Sequence, residues 1–108
     1  MRRFASLRRQ SDFIRLRRRG RRASTPHLTL YRSDPLPGDV TSRVGISVNK
    51  SIGKAVVRNT VRRRLAAIVH DALAGRQPMR LLVVPLPAAA DADFDVLRTD
   101  FAAALARV

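Results

Sequence analysis

Val57, Val61, Leu65, Ile68 and Ala72 stand four, four, three and four residues apart. Between Lys50 and Arg64 the same stretch carries six cations and no acid. The apolar spacing turns those side chains onto one side of a helix. One element must therefore rest on a core while holding a dense positive charge in water. The fold has to supply an apolar surface for it, and the charged flank suits a polyanion.

The rest of the chain supplies that surface. At 108 residues it is long enough for one domain, residues 1–108, with a modest core. Ser11 or Asp12 is placed to cap a short helix ending at Gly20, with Phe13 and Leu16 on its inner side. Residues 27–32 and 43–48 alternate like half-buried strands, the second turning Val44, Ile46 and Val48 inward. Asp34-Pro-Leu-Pro-Gly38 reads as a surface loop. The long helix spans about Lys54 to Leu73 and is closed by Gly75. Arg80–Pro85 is apolar enough to be a central strand. Asp91, Asp93 and Asp95 favour the start of a last helix, where the macrodipole welcomes negative charge. Phe94, Leu97, Phe101 and Leu105 would be its buried side. These elements predict an α/β (α+β) single-layer sandwich, α-β-β-(β)-α-β-α, with a small central sheet. Residues 1–10 read as a flexible basic arm, Phe4 included.

Charge is distributed as unevenly as the apolar residues. Ten arginines fall in residues 1–22 and six cations in 50–64, against Asp12 alone among the acids. Twenty-two basic residues face eight acids over the whole chain, for a net charge of +14. An ordinary charge run is only a solvated face, but two runs with this surplus point to nucleic acid. Asn59, Arg62 and Arg63 flank the helix's apolar side, and Arg58 falls inside the apolar arc. An Arg-Asn pair in a helix's first turn offers guanidinium, amide and backbone N–H groups to phosphates. Thr60 and Arg64 lie on the other flank and read as exposed surface. Five aromatics leave Phe13 and Tyr31, each beside arginines, as stacking candidates. So few favour recognition of phosphates and shape over bases.

Several chemistries are excluded or disfavoured. Without cysteine there are no disulfides, thiolate nucleophiles or Cys-based zinc sites. No apolar run approaches the roughly 20 residues of a membrane span. Residues 1–24 share the Arg- and Ser-rich composition of a mitochondrial presequence, yet they also fit the fold. There is no glutamate to group for metal-assisted hydrolysis. His27 and His70 have no obvious partner. Gly53-Lys54 fails as a phosphate loop, because Val48 and Ala55 stand where that motif needs glycine and Ser/Thr. The residues describe a protein that binds and does not itself catalyse.

Arg43-Val-Gly-Ile-Ser-Val-Asn-Lys-Ser-Ile-Gly-Lys-Ala-Val-Val-Arg-Asn-Thr-Val-Arg-Arg63 resembles the signature of the bacterial ribonuclease P protein subunit. Asp12-Phe13 before Gly20, Leu28-x-Leu-Tyr31 and the strand ending at Pro85 extend the resemblance over nearly the whole chain. Thr60 replaces the arginine of the family's Arg-Asn-Arg, Asn49 a serine, Ser51 a lysine, and Arg17 a frequent aromatic. The resemblance implies a cytoplasmic bacterial ribonucleoprotein in which a catalytic RNA, with its Mg²⁺, removes the 5′ leader of precursor tRNA. It implies one protein per RNA and no cofactor held by the protein alone. Lys50, Lys54, Arg58, Asn59, Arg62 and Arg63 match the catalytic-RNA-facing set. Phe13, Arg17, Leu28 and Tyr31 match a leader-binding groove. It also implies a left-handed βαβ crossover of a kind shared with a ribosomal-protein domain, where general handedness rules predict a right-handed one. A ribosomal or other structured-RNA-binding protein, and an autonomous nuclease, are the rival readings.

Overall fold

The computed structural model describes residues 3–108. In chain order the elements are β1 (Phe4–Ser6), α1 (Gln10–Arg19), β2 (Arg21–Ser24), β3 (Leu28–Ser33) and β4 (Ser42–Ile46). A 3-10 turn at Lys50–Ile52 leads into α2 (Ala55–Ala72), then come β5 (Arg80–Pro85), a second 3-10 turn (Pro87–Asp91) and α3 (Phe94–Arg107). The strands form one mixed sheet in the order β1-β4-β5-β3-β2. β1, β4 and β5 run parallel, and β3 and β2 complete the sheet antiparallel.

Side-chain alternation along the strands divides the interior in two. Leu28, Leu30, Val44, Leu81 and Val83 point to one face, where Val61, Leu65, Ile68 and Val69 of α2 and Leu97, Phe101, Ala104 and Leu105 of α3 bury them. Leu82 points to the other face and is covered by Leu7 and by Leu16 of α1. Burying side chains as large as Phe101 contributes about 1.5–3 kcal/mol each, so the α2–α3 side is the main source of apolar stabilisation. β5 is central, as its unbroken apolar run requires.

Two strands escaped the sequence. β1 lies in the segment read as a flexible arm, yet Phe4 is buried in the main core and β1 pairs with β4. β2 has one inward residue, Ala23, and is held by its backbone ladder to β3. Neither has enough apolar residues to show a period of two. Other corrections are local. α1 starts after Arg9 with no side-chain cap, because Asp12 is turned towards Arg80 instead. Asp91 ends the second 3-10 turn and does not open α3. Phe94, in the first turn of α3, is 38% exposed. Arg64 is no idle surface residue: its Nη1 donates to the Ala92 carbonyl at 3.2 Å.

Long-range ionic ties fasten the layers. Arg80 Nε and Nη2 donate to Asp39 at 2.8 and 3.1 Å, while its Nη1 donates to Asp12 of α1 at 2.9 Å. His27, read as partnerless, lies 2.6 Å from Asp100 of α3. His70 accepts from the Arg3 backbone N–H at 3.1 Å. The hydrogen bond from Arg80 holds the Asp39 carboxyl below the ordinary carboxylate range, against burial. Burial raises the Asp100 pKa, but the His27 hydrogen bond and its companions outweigh it and leave a net lowering.

Carboxyls with lowered pKa stabilise the fold while ionised. Their contribution is complete above the unfolded value of about 4 and disappears as pH falls through the lowered folded values. Denaturant midpoints should therefore hold steady down to about pH 5 and then decline. Replacing both Asp39 and Asp100 with Asn should flatten that acid limb. A limb unchanged in the double variant would show that other groups cause it.

Candidate nucleic-acid interface

α2 carries the cations because its period leaves them no other place. Val61, Leu65, Ile68 and Val69 are buried, so Asn59, Arg62 and Arg63 project into solvent. Arg62 Nη1 donates to Asn59 Oδ1 at 2.9 Å, which joins the two as one polar unit on the helix surface. Arg58, inside the apolar arc, escapes the core by reaching back to the Gly53 carbonyl at 3.0 Å. Gly53 itself has φ 144°, a conformation side chains rarely adopt, and it swings the chain from the 3-10 turn into α2. Lys50 and Lys54 are exposed on either side of it.

None of Lys50, Lys54, Arg58, Arg62, Arg63 or Arg64 has a carboxylate partner among the described residues. The acids that form ion pairs are used elsewhere, on Arg21, His27, Arg43, Arg80 and Arg98. The six charges therefore repel one another without internal relief, and a polyanion would relieve them.

Two positions that depart from the family pattern contact each other. Asn49 caps the 3-10 turn, accepting from the Ser51 backbone N–H at 3.0 Å and from its hydroxyl. Thr60 turns its hydroxyl inward along the helix, donating to the Val56 carbonyl at 3.1 Å. A long guanidinium at position 60 would instead reach into solvent.

The second surface lies on the α1 face of the sheet. The ladders place Gly45, Leu82, Tyr31 and Arg22 in one row across β4, β5, β3 and β2. Phe13, Tyr31 and Val84 pack half-buried against Leu7, Leu16 and Leu82. A methyl at Gly45 would lie 2.6 Å from the Phe13 ring, so the absence of a side chain there lets the ring settle on the strand. Arg17 is exposed and, with Gln10, Phe13, Ile14 and Ser47, lines a cavity of about 240 Å³. A neighbouring cavity of about 210 Å³ has Phe13 and Gly45 on one side and Arg62 and Ala66 of α2 on the other. The edge of β4 thus brings the two sequence-derived residue sets to a common opening.

Leu28 does not belong to this surface. It is wholly buried on the opposite face, among the residues that α2 and α3 cover. Leu28 and Tyr31 are three apart on one strand, and an odd separation puts side chains on opposite faces. Gly45, Ser47 and Arg22 were missed in turn. Gly45 and Ser47 sit in the quoted signature, but their role depends on where α1 lies. Arg22 becomes relevant only through the unseen β2 ladder. Among the described residues no three His, Cys, Asp or Glu side chains gather as a metal site. Asp12 and Asp39 do come together, with the Arg80 guanidinium between them.

The family model described as Ribonuclease P matches residues 1–108. The ribonuclease P protein component of Streptomyces bikiniensis is 46% identical over 110 residues, covering 94% of this chain and 89% of that protein. That of Acidothermus cellulolyticus is 41% identical over 103 residues, covering 94% and 86%. Among solved structures, the Staphylococcus aureus RNase P protein superposes with a TM-score of 0.82 at 20% identity, covering 94% of this chain and 92% of its own. The Thermotoga maritima protein gives 0.81 at 23% identity, covering 95% and 96%. These two share the fold, down to the mixed sheet and three helices. With its signature, its charged α2 and a family match along its whole length, the chain belongs to the ribonuclease P protein family.

Proposed function

We propose that this protein is the RNA-binding subunit of a bacterial ribonuclease P, assisting a catalytic RNA in removing the 5′ leader from precursor tRNA. The exposed flank of α2, with Lys50, Lys54, Arg58, Asn59, Arg62 and Arg63, binds the catalytic RNA. Phe13, Arg17 and Tyr31 line the groove that takes the single-stranded leader. The observation that carries this reading is the row of cations on and just before α2 that has no carboxylate partner among the described residues.

The division of labour follows from the chemistry available. Phosphoryl transfer in this particle is assigned to the RNA and its Mg²⁺, because the chain offers cations, amides and aromatic faces, and the carboxylates of Asp12 and Asp39 that do come together are taken up by the Arg80 guanidinium. Its contribution is neutralisation: each phosphate contact releases counterions and makes binding salt-dependent. A half-buried aromatic beside an arginine holds an unpaired base by stacking, with little demand on sequence. The shared opening between Phe13 and Arg62 lets one protein hold leader and ribozyme side by side. The particle is expected in the bacterial cytoplasm, with one protein per RNA.

Adding the folded protein to the catalytic RNA at low Mg²⁺ should increase cleavage of leader-bearing tRNA; no increase would refute the assignment. Arg62→Ala should weaken RNA binding and reduce the slope of log affinity against log salt by about one. An unchanged slope would remove Arg62 from the interface. Phe13→Ala, and Gly45→Ala by displacing the same ring, should weaken binding of leader-bearing substrate more than of mature tRNA. Equal losses on both would place Phe13 outside the leader path.

A further inference from the structure

The groove does not stop at Phe13. The cavity at Phe13 and Gly45 reaches Ser6 and Leu7, and these two residues also line a further cavity of about 250 Å³. That cavity is walled by Arg8, Arg9, Asp12, Arg43 and Arg80. Its four guanidinium groups are opposed by Asp12 and by the adjoining Asp39, leaving two positive charges in surplus.

The four arginines are not equivalent. Arg80 is buried and fully engaged by Asp12 and Asp39, so it serves as a rigid floor. Arg43 has only a long contact to Asp39, 3.8 Å from its Nε, and that nitrogen is buried with no hydrogen-bond partner. Arg8 and Arg9 are exposed, and their side chains make no hydrogen bond or ion pair among the described residues. Three guanidinium groups without a strong partner at one end of an aromatic-lined groove match the chemistry of a phosphodiester.

Direction follows from the strands. Arg43 lies at the start of β4 and Ser47 just past its end, about 13 Å apart at 3.3 Å per residue. Arg17 and Ser47 share the cavity at the far end, the end from which the chain proceeds to Lys50 and α2. The arginine end is thus the one farther from Lys50, Lys54 and the start of α2, with the opening shared by Phe13 and Arg62 between the two ends. We infer that Arg8, Arg9 and Arg43 form a second phosphate-binding site that takes leader nucleotides lying beyond those at Phe13, farther from the cleavage point. This site rests on the leader-groove reading and lengthens it.

The test is a series of precursor tRNAs with leaders of increasing length, measured for affinity to the reconstituted particle. Wild-type protein should gain affinity in two stages, the first as the leader reaches Phe13 and the second as it reaches the arginines. The variant Arg8→Ala/Arg9→Ala, whose exposed side chains make no hydrogen bond or ion pair among the described residues, should lose only the second gain. The loss should be on the order of tenfold for long leaders, with mature tRNA and short leaders unaffected. A second stage retained in the variant would overturn the site while leaving the groove intact, and would mean that these arginines meet only water. Equal loss for every substrate would overturn it too, assigning the pair to the catalytic RNA or tRNA body. If wild-type protein gained nothing from any leader, the groove reading itself would fail and this site with it.

Discussion

A single guanidinium, that of Arg80, decides how α1 lies on the sheet. It hydrogen-bonds to Asp12 in the first turn of α1 and to Asp39 in the β3–β4 connection, from the first residue of β5. The apolar contacts beneath α1 are few, mainly Leu7, Leu16 and Leu82. Hydrophobic packing of that size holds a helix close to a sheet but fixes its direction poorly. A charge-assisted, two-sided hydrogen-bond pattern is directional, and removing one member of such a buried set costs about 3–5 kcal/mol. One wall of the groove, α1, is held to the sheet by this tie.

The opposite face of the sheet is organised by volume. Phe101, Leu97, Leu65 and Leu81 fill it completely, which leaves α2 free to carry charge on its outer side without weakening its anchorage. The sheet therefore has one heavily packed face and one lightly covered face. β5 serves both, with Leu81 and Val83 in the main core and Leu82 under α1.

This division explains what could be read from the chain alone. α2, α3, β3, β4 and β5 have enough apolar residues to display their periods, and their bounds fell within a few residues of those observed. The exposed cations of α2 were legible because a helix period fixes which residues are outside. The groove was only half legible. Phe13 and Tyr31 are named by chemistry, but Leu28 was drawn in by the family resemblance alone, although its odd separation from Tyr31 already puts it on the other face. Gly45 has no side chain to announce its role. The ties from Arg80 to Asp12 and from His27 to Asp100 join residues 68 and 73 apart, and no local pattern carries that information.

β2 is the outermost strand on its side of the sheet, and its outward residues include Arg21 and Arg22. An open strand margin is a template on which another chain can add itself. Here any second copy approaching that margin meets guanidinium groups like its own. The same arginine richness that suits the protein to RNA thus also discourages it from assembling into aggregated sheets before an RNA partner arrives.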